Sequence, residues 1–330
     1  MRSSSSLFPV ALQSAERRGD LSEDVYRIKA ANSPDPSVEL AVTRLGLADH
    51  PARGLPVILL HGEFGNRRLW FSPRGTGLGA WLARAGFDVW IAEMRGHGLS
   101  PRNLQYAHNR VADYARYDLP VIGAFVREKS GAPAHWLGHT QGGVSLAAAL
   151  GGGYLAPALA ASVVLFASQL DPPHWLLKIP PVQWAARALL KRRGGVCGAL
   201  EGHGPEDEAI GLALERLGWQ AWKGRFGDAG QDWLAGLGTV QVPVLAICAR
   251  DDEDYPAGDC HRLFEHFGSS QRQFQVIETG SGQPAGVGSV DPLVGEAARE
   301  QVWPLVGRWL REAQKPLQSP LAELEEMATL

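Results

Sequence analysis

Ala134-His135-Trp136-Leu137-Gly138-His139-Thr140-Gln141-Gly142, continued by Gly143 and the small-residue run Val144 to Leu150, is an apolar strand, a sharp turn and a helix in direct succession. Glycines flank Thr140 two residues away on either side, as a helix folded back over a strand end requires. Such a turn holds its apex residue at positive φ and exposes its side chain at the end of the strand. Thr140 brings a hydroxyl to that apex, but its Cβ is branched, and β-branched residues at positive φ are outliers. The sequence therefore predicts either a strained apex or a turn relaxed away from this geometry. A hydroxyl nucleophile also needs a base, and no histidine follows His266.

Val38 to Leu45 alternates apolar and polar residues, as a half-buried edge strand does. Continuous apolar strands are expected at Pro56–Leu60, Phe87–Ala92, Ala134–Leu137, Ser162–Ala167, Val242–Ile247 and Phe274–Ile277. Helical patterns lie between them at Leu78–Ala85, Val111–Glu128 and Val144–Leu150, and a last one spans Val294–Glu312. Strands alternating with helices predict a parallel sheet covered on both faces. Residues 140–170 carry no charge, but Gly151-Gly152-Gly153 and Pro157 divide them into a buried helix and a buried strand rather than a membrane span.

Residues 171–236 break the alternation with Pro172, Pro173, Pro180 and Pro181, the run Lys191-Arg192-Arg193 and five of the eleven tryptophans. They read as a helical insertion, either lining a site at the carboxyl ends of the strands or packing as a structural subdomain. The expected organisation is an extension over 1–36 with a mobile start, a core over 37–170 and 237–313, the insertion, and a tail over 314–330. The net charge of −3 and scattered cations give no footprint for nucleic acid. Cys197, Cys248 and Cys260 have no metal-like spacing and fit a reducing, cytoplasmic setting. No cluster with ligand spacing implies a metal. Gly75-Thr76-Gly77-Leu78-Gly79-Ala80 matches a dinucleotide pattern formally, but no buried strand precedes it, so helix packing explains its glycines better.

Further motifs occur in a fixed order: His61-Gly62, then Ala85-Gly86-Phe87-Asp88-Val89-Trp90 leading to Arg95-Gly96, then Tyr117-Asp118-Leu119-Pro120, then the turn at Thr140. On these residues the run from Pro56 to Leu150 resembles α/β-hydrolases of the acid lipase type, the group of gastric and lysosomal acid lipases. A weaker likeness extends from Pro243 to Leu310. The resemblance implies the α/β-hydrolase fold, a mostly parallel central sheet flanked by helices, and leaves 171–236, the expected helical cap insertion, largely uncovered. It implies a serine nucleophile where Thr140 stands and an acid just after Val242–Ile247. Asp252 fits that acid better than Asp251 because Pro256 follows at the usual spacing. It implies a histidine where the chain reads Gly288-Ser289-Val290-Asp291, with Ser289 in its place. The backbone N–H groups of Glu63 and Gln141 would be the oxyanion donors.

Ser289 cannot accept, hold and return a proton as imidazole does. His61 is expected to support its loop, and His139 to sit beside Thr140 while pointing apart from it. His261 and His266 fall on a helix before the last strand. Two of three catalytic positions are thus altered, and the expectation is a degenerate hydrolase that keeps a pocket for a small apolar ester or acyl ligand, or binds a protein partner. The rival expectation is an atypical carboxylic ester hydrolase using Thr140. Acyl transfer of this kind calls on side chains and backbone donors, so no cofactor is implied.

Overall fold

Short apolar runs, too brief for buried helices and bounded by turns, pair into one sheet. The computed structural model describes residues 3–50, 53–172, 174–228, 230–278, 289–290 and 292–313. Its strands are β1 (Val10–Arg18), β2 (Leu21–Ile28), β3 (Leu40–Leu47), β4 (Pro56–Leu60), β5 (Asp88–Glu93), β6 (Ala134–His139), β7 (Ala160–Phe166), β8 (Val244–Ala249) and β9 (Arg272–Ile277). They lie in the order β1-β2-β3-β5-β4-β6-β7-β8-β9. From β5 to β9 all neighbours are parallel, whereas β1, β2 and β3 join antiparallel at one side.

The amino-terminal segment is not a mobile start: residues 10–28 form a hairpin of the sheet. That hairpin covers β3, so β3 is an inner strand and not the edge the alternation predicted. The tail over 314–330 and the residues Gly288 and Asp291 lie outside the described residues.

Helices α1 (Leu78–Arg84), α2 (Leu119–Ser130), α3 (Gln141–Gly151), α4 (Pro180–Arg193), α5 (Ile210–Trp219), α6 (Trp233–Leu237), α7 (Ala257–Glu265) and α8 (Trp303–Glu312) follow in chain order. The two-residue period of β4 sends Val57 and Leu59 to the face covered by α1 and α8, and Ile58 and Leu60 to the face covered by α2, α3, α6 and α7. Trp90, Trp136 and Phe125 are fully buried on the second face, each contributing about 1.5–3 kcal/mol by leaving water. The residues between β7 and β8 hold α4, α5 and α6. Their tryptophans divide: Trp233 is buried in the core, while Trp175, Trp184 and Trp222 are exposed.

The turn between β6 and α3 is close-packed from both sides. A Cβ on Gly138 would stand 2.6 Å from the Gly143 backbone, and one on Gly142 would stand 2.5 Å from the His61 carbonyl oxygen. The return of α3 over β6 therefore excludes side chains at both positions. Gly138→Ala is expected to lower the unfolding free energy in a urea titration by about 1–3 kcal/mol, the range for overpacking. Gly258→Ala on α7, where no atom lies within 4 Å of the added Cβ, is expected to raise it by about 0.5–1 kcal/mol.

Candidate active site

Thr140 keeps the positive-φ apex, at φ 41° and ψ −108°, and does not relax out of it. Its N–H donates to the Phe166 carbonyl at 2.9 Å and its carbonyl accepts from Val144 at 3.0 Å, so the frame of β7 and α3 holds the strained residue. Strain of this kind costs about 1–3 kcal/mol. Gln141 is the first residue of α3, so its N–H lies among those a helix leaves without an intrahelical acceptor.

His139 does not point away. Its Nδ1 lies 3.5 Å from Thr140 Oγ1, and its Nε2 lies 2.9 Å from the Ser289 carbonyl oxygen. A carbonyl only accepts, so Nε2 carries the proton and Nδ1 turns its lone pair toward the hydroxyl. Burial pushes the imidazole down to about 4, which leaves it neutral at ordinary pH. Ser289 thus meets the site through its backbone. Gly62 packs over the same pair, and a Cβ there would stand 2.0 Å from Thr140 Oγ1.

His61 is committed to its loop. Its Nδ1 donates to the Gly62 carbonyl at 2.9 Å and its Nε2 accepts the Met94 N–H at 3.0 Å. Burial, with a smaller effect from His97, lowers it to about 3. His97 shows the opposite balance: burial opposes its charge, but the Glu208 carboxylate 3.2 Å from Nε2 outweighs it and raises the pKa.

Asp252 is buried and Asp251 exposed. The Asp252 carboxylate accepts the N–H groups of Asp254 at 3.1 Å and Tyr255 at 2.9 Å, and this turn carries the Tyr255 hydroxyl to Thr140. The Glu63 side chain, whose pKa burial raises, pairs with Arg216 of α5. Arg216 Nε also donates to Asp171 at 2.9 Å. This cluster and Tyr255 leave a cavity of about 10 Å³ against Thr140. Beside it lies one of about 270 Å³, lined by Glu63, Phe64, Gln141, Leu212, Arg216 and Leu217 among others. Sequence reading missed Tyr255, Arg216 and Asp171. Only the position of Tyr255, three residues beyond Asp252, offered a signal. His261 and His266 fall on or just after α7, and among the described residues no group of three or more His, Cys, Asp or Glu side chains could hold a metal.

A sequence model described as the alpha/beta hydrolase fold matches residues 56–189. Human gastric triacylglycerol lipase is 37% identical over 98 residues, which is 26% of this chain and 24% of that protein. The chain therefore spans about a quarter of the length of that curated relative. A thermophilic esterase from Thermogutta terrifontis superposes with a TM-score of 0.57 at 18% identity, covering 86% of this chain and 97% of that one. A soluble variant of monoglyceride lipase from Saccharomyces cerevisiae, in complex with a substrate analogue, gives 0.58 at 13% identity, covering 84% and 93%. The chain has the α/β-hydrolase fold, matched in sequence over residues 56–189, and it is similar to lipases and esterases of that fold.

In this α/β-hydrolase-fold protein His61 and His139, at the loop after β4 and at the elbow, are buried, and they respond to pH with a definite sign. A folded-state pKa depressed to about 4 for His139 means that the unfolded chain binds the proton first as pH falls. The stabilisation is complete above the ordinary histidine pKa and is lost as pH drops toward 4, at up to about 1.4 kcal/mol per unit. Glu215, raised to about 7 by burial, acts in the opposite sense, so the total slope is a balance and a difference between variants isolates His139. His139→Gln keeps a donor for the Ser289 carbonyl. Between pH 6.5 and 4 its unfolding free energy is expected to fall less steeply than that of the native protein, by about 1.4 kcal/mol per unit. Parallel slopes in denaturant titrations would contradict a neutral, buried imidazole.

Proposed function

We propose that this α/β-hydrolase-fold protein has lost efficient ester hydrolysis and retains a pocket for a small ester or acyl ligand beside the elbow. In this reading Thr140 occupies the place of the serine nucleophile, Asp252 that of the acid and Ser289 that of the histidine, with the Glu63 and Gln141 N–H groups as oxyanion donors. The observation that carries it is the pairing of His139 Nε2 with the Ser289 carbonyl. A catalytic imidazole must hold a proton, and a carboxylate behind it stabilises the cation. Here the group behind it is a neutral carbonyl and burial opposes the charge. Removing the carboxylate's contribution from a working triad costs about 10⁴ in turnover.

The surroundings of Thr140 support the same reading. A space of about 10 Å³ admits roughly one water and no ester. The adjoining cavity of about 270 Å³ is near the low end of small-molecule sites, with Leu212, Leu217 and Phe64 suited to a short acyl chain. Three free thiols, Cys197, Cys248 and Cys260, support a reducing, cytoplasmic setting. No described helix is long and apolar enough to cross a membrane.

One observation favours a second reading. Thr140 Oγ1 stands 3.5 Å from an imidazole lone pair, and hydrogen bonds of this kind tighten on substrate binding. Thr140 would then attack the ester carbonyl carbon, its proton passing to His139 Nδ1 and on to the leaving alkoxide.

Hydrolysis of p-nitrophenyl butyrate by purified variants separates the two. Native protein, Thr140→Ala and His139→Gln are expected to agree within about tenfold, with only oxyanion-hole and binding contributions left, and Thr140→Ser with Ser289→His to exceed them. A native rate about 10³-fold or more above both single variants would establish the second reading instead.

A further inference from the structure

The outer surface of the segment between β7 and β8 carries a charge and apolarity pattern that the elbow does not use. From His174 to Leu200 the chain has five Lys or Arg residues and no Asp or Glu, in a protein whose net charge is −3. On the same stretch Trp175 is 68% exposed, Trp184 74% and Leu189 70%. Helix α4 meets the protein along one seam, where buried Gln183 donates to the Leu217 carbonyl of α5. Ala186, Ala188 and Leu190 are half-buried, and Trp184, Arg187, Leu189 and Lys191–Arg193 are exposed.

Neighbouring segments extend this surface. Lys178 and Trp222, the latter 73% exposed, border one cavity of about 330 Å³. Arg187, Lys191, Lys223 and Arg225 border a second of about 1060 Å³. Trp219 and Gly224 belong to both. The acids of the larger cleft are already engaged: Asp35 by Ser37 and Asn103, Asp113 by Arg110, Asp228 by Arg116, and Glu215 by the Val111 N–H. Arg193 pairs with Glu201, but among the described residues no carboxylate pairs with Lys178, Arg187, Lys191 or Arg192.

Exposed tryptophans and aliphatic side chains beside uncompensated cations are the chemistry of an interfacial surface. Indole rings settle at the headgroup level, apolar side chains enter the acyl boundary, and cations attract anionic headgroups. A second copy of the chain is a poor occupant, since two such faces would bring like charges together. A nucleic acid would use the rings and cations but leave Leu189, Val182 and Ile179 without a partner. We propose that α4, the turn Trp175–Lys178 and the Trp222 loop dock onto an anionic phospholipid surface. The proposal stands apart from the elbow's chemistry and holds whether or not Thr140 turns over esters.

The test is co-sedimentation of the whole protein with phosphatidylcholine vesicles, with and without phosphatidylglycerol, at low and high salt. Each cation at the surface is worth about fivefold in binding, so native protein is expected to bind the anionic vesicles at least about tenfold more tightly and to be released by salt. Lys191→Glu with Arg192→Glu is expected to weaken anionic binding by at least about twentyfold. Trp175→Ala with Trp184→Ala is expected to weaken it at unchanged charge. All four side chains are exposed, and an unchanged thermal midpoint confirms that each variant folds. Equal binding to both vesicle types, no binding to either, or insensitivity to both double substitutions would overturn the proposal. So would retention of a single-stranded oligonucleotide, or self-association, by protein that leaves vesicles unbound.

Discussion

A helix folded back on the end of a strand, with no room for a Cβ beside the turn, is the constraint on which the site depends. Gly138 and Gly142 let α3 approach β6 and the carbonyl end of β4, and the apex residue then has nowhere to go except positive φ. Thr140 accepts that position although its branched Cβ opposes it. The parallel register of β4, β6 and β7, with Leu60 opposite Gly138 and Gly138 opposite Leu165, fixes the height of the apex above the sheet. Gly62 then lies directly over the Thr140 hydroxyl. A backbone this tightly framed leaves the apex residue little choice of conformation, and Thr140 adopts the one the frame imposes.

Around that frame the charges sort by what neutralises them. His61 and His139 stay neutral because burial opposes their charge and their backbone partners offer no counter-charge to offset it. His97 is favoured as a cation because Glu208 faces it. Glu208 also accepts the Phe64 N–H at 2.8 Å, and Glu206 accepts from Asn66. Both acids lie between β7 and β8, so that segment is clamped to the loop after β4. Hydrogen bonds to partly buried carboxylates add little net stability, but losing one partner leaves a buried charge unsatisfied and is costly. Their effect here is to fix the position of α5 over the elbow.

The strands from β4 to β8 were legible because strands buried on both faces read as continuous apolar runs, and the glycines of the elbow announced its turn. The first hairpin was not legible: β1 is largely exposed, so its sequence, ending in Glu16, Arg17 and Arg18, carries no buried stripe to recognise. Missing it made β3 look like an edge. At the site, Thr140, Gln141, Glu63 and Asp252 could be placed from local motifs. Arg216 could not, because it meets Glu63 across 153 residues of sequence and no local pattern encodes such a pairing. The direction of the His139 ring was also beyond sequence reading, since the Ser289 carbonyl that fixes it arrives from 150 residues away.

The segment over the elbow has two faces with different electrostatics, and α5 lies between them. On the inner side Arg216 neutralises Glu63 and Asp171 together. Moving α5 away would leave two carboxylates near one another and near Glu208, whose charge already disfavours ionised Glu63. Part of that cost is relieved if Glu63 takes up a proton, which burial favours, and part if water enters with the ligand. Arg216 also borders the small space at Thr140, together with Leu170, Trp219 and Tyr255, so the ion cluster forms part of the wall around the apex. The same Glu63, Asp171 and Arg216 line the cavity of about 270 Å³ beside it, so one charge cluster stands between the apex and the larger space.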